Sequence, residues 1–463
     1  MTKRFAGKEL YVNQGRRQFL KSIAATAAVS AILPANSWAD GGPAPKRPNI
    51  FIFVADDQIM KSNGCYGANP SHTPHVDQLA KEGLRFTNCF APSAICSPNR
   101  GALLSGMYPL RNGCHANHSG FYDGVKSLPN YMKELGYRCC IVDKDGIQKP
   151  NDCYEWEYRI EKSEQHVMGA DLPDQDRHRV PRMDEIERFV SAKDERPFVL
   201  FHACSLPHGP NLSRLPNGLE GYDASNFVMD DELGKDLALL EKHHLSEKTI
   251  VMFLNDNEAQ GNLTKDFLYE RSLRVPLIIR WPERIKSGAV SEATVSTMDI
   301  LPTLMQVAGG KTPPVMDGKS MIEVWEGKTD HFRDEIYASV TGVIVSGSGR
   351  QETPYPMRSY LAGGDDYIRN LNFQAAHFAR NDVRQPFEEL YNLRTDPEEK
   401  TNLANDPAMA AKKKEMSDKV DTWMAYCGDK GIQSELDTLK RYPAKPGDTM
   451  RKSKKKSDEA ADD

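Results

Sequence analysis

The chain has 463 residues with a formal net charge of −5, and 39% of its residues are hydrophobic and 27% charged. This length suffices for one large domain and a smaller one with a substantial core, and the composition excludes a fibrous or wholly disordered protein. Because the charge is small and mixed in sign along the chain, the sequence gives no argument for nucleic acid or an anionic membrane as a partner.

The N-terminal segment predicts export from the cytoplasm. Arg16-Arg17 stand before Phe19-Leu20-Lys21, an apolar stretch follows at residues 23–33, and Ser37-Trp38-Ala39 offers small residues at a cleavage position. This order is typical of a twin-arginine signal peptide, and the apolar stretch is shorter than the roughly 20 residues that span a bilayer. We therefore predict that residues 1–39 are removed after passage through the twin-arginine machinery. The mature protein is expected to be periplasmic or extracellular and to have no membrane span.

From residue 47 onward, short apolar strands alternate with amphipathic helices. The predicted strands are 50–54, 138–142, 198–203, 249–254 and 276–280. The predicted helices are 76–82, 128–135, 184–192, 230–243 and 299–307. Buried strands that alternate with helices form sheets covered on both faces. We therefore predict an α/β domain over residues 40–325, built on a large, mostly parallel sheet.

The pattern changes after residue 325. Short strands are predicted at 336–338, 367–370 and 389–391, separated by polar turns, and a polar helix is predicted at 407–427. These elements predict a small C-terminal domain over residues 326–430, made of an antiparallel sheet and a closing helix. The remaining segment, 431–463, contains the basic run 451–456 and is predicted to be a charged, disordered tail.

Two of the predicted strands end in pairs of polar side chains. Asp56 and Asp57 follow the strand 50–54, and Asp256 and Asn257 follow the strand 249–254. A single acidic pair at a strand end is common as a helix cap or turn. Because the chemistry of such sheets collects at the carboxyl ends of the strands, two such ends side by side indicate a metal site. Carboxylate and amide oxygens suit Ca²⁺ or Mg²⁺ rather than zinc.

The segment with the most specific chemistry is Cys96-Ser97-Pro98-Asn99-Arg100, which leads into an apolar helix and a small-residue turn. With Thr73-Pro74-His75 upstream and Met107-Tyr108-Pro109 downstream, it resembles the signature of the formylglycine-dependent sulfatases of the alkaline phosphatase superfamily. The resemblance extends over residues 48–403 and implies an alkaline-phosphatase-like fold. It also implies that a maturation enzyme oxidises Cys96 to an aldehyde, formylglycine. In the family the aldehyde hydrates to a diol; one hydroxyl attacks sulfur and the other helps to expel sulfate.

The same resemblance implies a metal centre and a set of catalytic side chains. The implied ligands of Ca²⁺, or of Mg²⁺, are Asp56, Asp57, modified Cys96, Asp256 and Asn257. These include the two strand ends selected above from the strand pattern alone. The implied catalytic residues are Cys96, Arg100, Lys144, His208 and Lys265.

Each catalytic residue has a position that suits its implied role. Arg100 lies one turn after Cys96 and would hold the diol and the metal-bound carboxylates. Lys144, after the strand 138–142, and Lys265 match the sulfate-binding lysines of the family, which neutralise charge on the transferred group. His208 follows the strand 198–203 and matches the general acid that protonates the leaving atom.

Four positions depart from the family pattern. Gly146 stands where the family has a histidine that contacts the diol and helps to eliminate sulfate, which places turnover in question. Asn99 replaces the usual small residue of the maturation signature. Asn255 and Glu258 flank the pair Asp256-Asn257 at positions where serine and glycine are commoner.

The C-terminal part has a narrower resemblance. The segments Tyr355-Pro356-Met357-Arg358-Ser359, Arg369-Asn370-Leu371-Asn372-Phe373 and Glu389-Leu390-Tyr391 look like heparan N-sulfatase (sulfamidase). We therefore expect hydrolysis of sulfate esters or N-sulfates on a sulfated carbohydrate. One alternative is a phosphodiester or phosphonate hydrolase of the same superfamily. Another, based on Gly146, is a non-catalytic homologue that binds sulfated glycans.

The chain contains nine cysteines, whose spacings match no zinc pattern. Most are expected to be small buried apolar residues, and one or two disulfides could form after export.

Overall fold

The computed structural model describes residues 47–143, 146–147, 155–166, 179–209, 211–215, 217–259, 265–345, 348–350, 352–372, 387–445 and 449–450. The predicted signal peptide, Lys144 and the basic run 451–456 lie outside the described residues.

The strands in chain order are β1 (Asn49–Asp56), β2 (Leu84–Phe90), β3 (Arg138–Asp143), β4 (Tyr158–Ile160), β5 (Lys162–His166), β6 (Arg179–Pro181), β7 (Phe198–Pro207), β8 (Leu212–Arg214), β9 (Thr249–Asn255), β10 (Arg274–Arg280), β11 (Ala289–Ser291), β12 (Val295–Ser296), β13 (Glu335–Val340), β14 (Ser348–Arg350), β15 (Met357–Ala362), β16 (Asp365–Asn370), β17 (Glu388–Asn392) and β18 (Thr449–Met450). The α-helices are α1 (Pro74–Glu82), α2 (Cys96–Ser105), α3 (Pro109–Asn112), α4 (Leu128–Glu134), α5 (Met183–Val190), α6 (Gly221–Lys242), α7 (Glu270–Leu273), α8 (Ile300–Val307), α9 (Ile322–Trp325), α10 (Ala410–Cys427) and α11 (Ile432–Arg441).

The large sheet has the strand order β11-β2-β10-β9-β1-β7-β3-β4, with β12 beside β2. All five predicted strands of this sheet are present. The central strand β1 pairs in parallel with β7 on one side and β9 on the other, and β3 is parallel to β7 and β4. Strand β10 is the exception, because it runs antiparallel to both β9 and β2. The prediction of a mostly parallel sheet is therefore confirmed.

Both faces of the large sheet are covered by helices, as strands this apolar require. Along β1, Ile50, Ile52 and Val54 belong to one core, while Phe51 and Phe53 belong to the other, and all five are fully buried. Helices α4 and α8 complete the first core, and helices α1, α5 and α6 complete the second. These layers fix the ends of β1 and β9 in the middle of the molecule.

Helix α6 begins at Gly221, earlier than the predicted start at Asp230. Its first turns bury the polar residues Ser225 and Asn226 between the apolar residues Ala224 and Val228, which interrupts the apolar pattern. Hydrophobic periodicity does not register such positions, so the sequence placed the start of the helix too late.

The second sheet is antiparallel, with the order β13-β15-β16-β17. Helix α10 covers one face through Met416 and Val420, which pack against Tyr360 and Tyr367. The predicted small antiparallel sheet and closing helix are thus both present. The domain boundary at residues 325 and 326 stays a prediction, since Arg47–Asp463 forms one compact unit.

Helix α11 lies in the segment predicted to be a disordered tail, so that prediction is wrong for residues 432–441. Glu435 of this helix is fully buried, and its Oε1 lies 2.9 Å from Nη2 of Arg358. The helix is held by buried ion pairs and hydrogen bonds rather than by an apolar stripe, which explains why its charged composition was misleading.

The described cysteines are all free thiols: Cys65, Cys89, Cys96, Cys114, Cys139, Cys140, Cys204 and Cys427. All but Cys65 are buried, as expected for small apolar residues. None of the helices in the described parts of the chain combines the length and the apolarity needed to cross a membrane.

Candidate active site

The carboxyl ends of β1 and β9 meet at one edge of the large sheet. Ala55 and Asn255 are paired in register, so the residues that follow them lie next to each other. The backbone N–H of Asp57 donates to Oδ1 of Asp256 at 3.2 Å, and the N–H of Asp256 donates to the carbonyl of Ala55 at 3.1 Å. Asp57 adopts a left-handed conformation, with φ of 61°, which turns the chain sharply after β1. All four polar side chains selected from the sequence therefore lie in one buried place.

Cys96 is the first residue of helix α2, and its Sγ faces this cluster. The sulfur lies 3.3 Å from Oδ1 of Asp56 and 3.8 Å from Oδ1 of Asp57. Ile95 is extended and precedes a helix in which every residue is buried. Because the N-terminus of a helix favours negative charge, an oxyanion formed at residue 96 would be stabilised there.

Arg100 lies one turn further along α2 and links two carboxylates. Its Nε lies 2.8 Å from Oδ2 of Asp256, and its Nη2 lies 3.5 Å from Oδ2 of Asp56. Burial alone would lower the pKa of Arg100, but the carboxylates of Asp256 and Asp56 raise it above its ordinary value. The guanidinium therefore stays charged in a fully buried position.

Lys265 is the second cation of the cluster. Its Nζ makes an ion pair with Oδ1 of Asp57 and lies 3.3 Å from Sγ of Cys96. Burial opposes the charge, but the neighbouring Cys96, Asp57 and Asp56 raise the pKa of Lys265 above its ordinary value. The ammonium group thus stands directly beside the residue that would become the nucleophile.

The cluster holds three carboxylates and two cations, all of them buried. Burial raises the pKa of Asp256 to about 6, and Asp56 and Asp57 act in the same direction. Burial and the carboxylates of Asp256 and Asp56 also raise the pKa of the Cys96 thiol well above its usual range. Negative charge is therefore in excess over the available cations.

The residues present fit a divalent cation. One ligand atom from each of Asp56, Asp57, Cys96 and Asp256 can be chosen so that all four lie within 4.8 Å of one another. Asn257 donates from Nδ2 to Oδ1 of Asp57 at 2.7 Å, whereas its own Oδ1 is buried without a hydrogen-bond partner among the described residues. A buried amide oxygen in that state is costly unless something else binds it. The donor atoms are mostly hard oxygens, which suit Ca²⁺ or Mg²⁺.

His208 lies at the exposed side of the cluster, just after β7. Its Nε2 is 3.7 Å from Oδ2 of Asp57, and its Nδ1 is 2.7 Å from the carbonyl of Gly209. With Nδ1 donating to that carbonyl, Nε2 faces the cluster. The side chain is 34% exposed, so it can contact both the buried groups and a ligand that enters from solvent.

Gly146, which stands at the position of the family histidine, lies beside Arg100. A Cβ atom added to Gly146 would lie 3.2 Å from Cδ of Arg100, and the backbone has φ of +69°. Its carbonyl accepts a hydrogen bond of 2.6 Å from Oγ of Ser97. Lys144, two residues earlier, is outside the described residues.

The sequence singled out Asn99 and Asn255 as departures from the family, but it assigned them no role. In the structure both are buried and both bind the loop that carries Asp256. Ser97, to which the sequence also gave no role, joins α2 to the backbone of Gly146 and His118. The available signal was the presence of amide side chains where family members have small residues.

An α/β sheet of this topology, with a buried cysteine, acidic residues and cations at its carboxyl edge, defines a hydrolase of the alkaline-phosphatase-like fold. The sequence model of the sulfatase family matches residues 48–310, which include every candidate site residue named above. The chain belongs to the sulfatase family, whose members hydrolyse sulfate esters and N-sulfates.

Curated relatives and solved structures agree with this assignment. The chain is 32% identical to an ulvan-active sulfatase of Formosa agariphila over 83% of this chain and 81% of the relative. It is 26% identical to the human N-sulphoglucosamine sulphohydrolase over 81% of this chain and 89% of the relative. The structure of BT4656 in complex with its substrate D-glucosamine-2-N,6-O-disulfate matches with a TM-score of 0.65 and 21% identity, over 85% of this chain and 99% of that one. The phosphonate monoester hydrolase of Agrobacterium radiobacter matches with a TM-score of 0.64 and 18% identity, over 84% of this chain and 97% of that one.

Proposed function

We propose that this chain removes sulfate from a sulfated carbohydrate, using a formylglycine made from Cys96 and a bound divalent cation. The observation that carries the proposal is the position of Cys96. Its Sγ stands at a helix N-terminus, 3.3 Å from a carboxylate of the candidate metal site and 3.3 Å from Nζ of Lys265. A nucleophile at this point would have a metal on one side and a sulfate-binding cation on the other.

Asp56, Asp57, Asp256 and Asn257 would hold the cation together with modified Cys96. Ca²⁺ or Mg²⁺ bound there would act as a Lewis acid on a sulfate oxygen and lower the pKa of the nucleophile. Among the residues of the chain, Arg100 fixes the carboxylates of Asp56 and Asp256.

Three further residues would act on the substrate. Lys265, and Lys144 by its sequence position, would neutralise charge that develops on the transferred group. His208 lies where Nε2 could deliver a proton to the leaving oxygen or nitrogen, because its other ring nitrogen is engaged by the carbonyl of Gly209. The partial exposure of His208 suits a residue that meets the leaving sugar.

The substrate class is supported by the relatives rather than by the C-terminal motifs. The residues of those motifs are mostly buried; for example, Tyr355, Arg358, Asn370, Glu389 and Tyr391 are at most 6% exposed. Such side chains hold the second sheet together and do not reach a substrate, so their likeness to sulfamidase bears on architecture. We propose sulfated carbohydrates as the substrate class because two relatives, the ulvan-active sulfatase and the human N-sulphoglucosamine sulphohydrolase, are named for substrates of this kind.

Export and maturation complete the proposal. A twin-arginine system transports folded proteins, so formylglycine and metal acquired in the cytoplasm would survive export. We propose a periplasmic or extracellular location and a separate maturation enzyme as partner.

The test begins with the mass of the peptide that contains Cys96, from protein expressed beside a maturation enzyme. Matured protein is then assayed for sulfate or phosphate release from an aryl sulfate, from O-sulfated and N-sulfated sugars and from a phosphate diester. The control is the Cys96→Ala variant.

We expect an aldehyde mass for the wild type and sulfate release from at least one sulfated sugar, with none from the variant. An intact thiol under conditions that mature a control sulfatase would contradict the mechanism. Faster release of phosphate would favour the phosphonate or phosphodiester hydrolase. Tight glycan binding without sulfate release would favour the non-catalytic homologue.

A further inference from the structure

Asn255 joins the two segments that carry the candidate metal ligands. These segments, termed the metal loops, are residues 56–60 at the end of β1 and residues 255–258 at the end of β9. Asn255 is the last residue of β9 and is fully buried. Its Oδ1 accepts from the backbone N–H of Gln58 at 3.1 Å, and its Nδ2 donates to the carbonyls of Gln58 and Asn257. One side chain thus binds both Gln58, which follows Asp57 in the metal loop after β1, and Asn257 in the metal loop after β9. A serine hydroxyl has a single proton to donate and could not make all three bonds.

Asn99 holds the same loop from the opposite side. It lies on α2 between Cys96 and Arg100 and is 1% exposed. Its Nδ2 donates to the carbonyl of Asp256, and its Oδ1 accepts from Oγ1 of Thr297 at 2.6 Å. Because Arg100 of the same helix binds the carboxylate of Asp256, α2 fixes both the backbone and the side chain of this ligand.

Two more side chains extend these links. Gln58 donates from Nε2 to Oδ1 of Asn63 at 2.9 Å and to Oδ1 of Asn226 at 2.8 Å, which ties the first loop to helix α6. Glu258 accepts from the backbone N–H of Met60 at 2.8 Å, so its side chain also crosses between the two loops. Asn255 and Glu258, the two departures from the family pattern beside Asp256, therefore each form a hydrogen bond between the two metal loops.

The energetic need for such links follows from the charges. Asp56, Asp57 and Asp256 repel one another when no divalent ion lies between them, and Arg100 and Lys265 offset only part of that charge. Amide side chains add hydrogen bonds without adding charge. They can therefore hold the carboxylates in ligand positions before the ion arrives, which lowers the cost of binding it.

We infer that Asn99 and Asn255 are positioning residues that pre-organise the metal loops and raise the affinity of the site for its divalent cation. This inference rests on the proposed function, since it assumes that the cluster binds a metal. The two residues act through Asp256 and Asn257, whose backbone carbonyls accept hydrogen bonds from their side-chain amides.

The test compares Asn255→Ser and Asn99→Ser with the wild type, all co-expressed with a maturation enzyme and checked by peptide mass. The control is Asn112→Ser. Asn112 is also fully buried and makes three hydrogen bonds, to Ser105, Met107 and Cys114, away from the metal loops. The Kd of Ca²⁺ and of Mg²⁺ is measured by calorimetry, and Tm is recorded with and without the ion.

We expect the Kd of the preferred ion to rise at least about tenfold in both metal-loop variants and to stay unchanged in Asn112→Ser. Sulfatase activity of the two variants should fall at low ion concentration and recover at saturating ion. If either variant does not fold, the other still tests the inference.

An equal loss of Tm with and without the ion, at unchanged Kd, would reduce both residues to a purely structural role and overturn the inference alone. Absence of Ca²⁺ and Mg²⁺ binding by the wild type would overturn the metal site itself, and with it the basis of the inference.

Discussion

At the scale of single residues, the proposed role of Lys265 is the easiest to test, because its Nζ contacts both Asp57 and the proposed nucleophile Cys96. We predict that Lys265→Ala lowers kcat at least about 10²-fold, since removal of one preorganised cation or donor at the transferred group has effects of this size. KM should change much less if the contact strengthens in the transition state. Steady-state kinetics on matured protein measures both.

The matched control for Lys265 is Lys126→Ala, which removes an exposed lysine paired with Glu134. Wild-type kinetics are expected for that variant. A Lys265→Ala enzyme with wild-type kcat would contradict the assigned role.

Gly146 tests whether the missing family histidine can simply be restored. We predict that Gly146→His and Gly146→Ala both lower the free energy of unfolding, by about 1–2 kcal/mol from backbone conformation alone, because φ is +69°. The added Cβ would also press on Arg100, so neither variant should gain sulfatase activity. Urea unfolding and activity assays on the matured variants measure these effects.

The control for this prediction is Gly124→Ala, where φ is +78° and no atom lies within 4 Å of the added Cβ. The excess loss in Gly146→Ala over Gly124→Ala measures the contact with Arg100. A Gly146→His enzyme that is as stable as the wild type and turns over faster would show that the position is a vacated histidine site.

At the scale of secondary-structure elements, helix α11 is held by the buried contact of Glu435 with Arg358. Arg358 lies between Asp429 and Glu435, at 2.7 and 2.9 Å, and all three side chains are fully buried. Burial raises the pKa of Glu435 to about 7, although Arg358 acts in the opposite direction. The folded protein therefore retains a proton on Glu435 at pH values where the unfolded chain has released it.

The sign of the pH dependence follows from this raised pKa. The stabilising contribution of protonated Glu435 is complete below its unfolded pKa and is lost as the pH rises through about 7. We predict that Glu435→Gln removes this dependence, so that the variant gains stability relative to the wild type between pH 5 and pH 8. Urea unfolding of both proteins at the two pH values measures the change, and parallel pH profiles would contradict it.

The elements also show what the sequence could and could not predict. Five strands of the large sheet and its covering helices were predictable because their apolar runs and stripes are regular, whereas β2 and β15 were not predicted. The antiparallel direction of β10 was not predictable, because a buried strand has the same apolar run whichever direction it takes in the sheet. Helix α2 has no amphipathic stripe because all of its residues are buried, and only its motif identified it.

The candidate site was predictable to the same degree. The adjacency of Asp56 and Asp256 follows from two strands that pair in parallel. The hydrogen bonds of Asn99 and Asn255 do not follow from the hydrophobic periodicity of the sequence, because asparagine at a strand end or in a helix has many structural uses.

At the scale of the whole molecule, the metal loops join the central strands β1 and β9 to helix α2, so ion binding should stabilise the entire fold. We predict that a chelator lowers Tm, because an ion at about 100 times its Kd contributes about 2.7 kcal/mol to folding. Calorimetry before and after chelation measures the change, and added Ca²⁺ or Mg²⁺ should restore it. The control is Asp57→Ala, which lacks a central ligand and should show no response to chelator or ion. If that variant responds as strongly as the wild type, the stabilising ion binds elsewhere, and the cluster around Cys96 is not the site through which metal acts on stability.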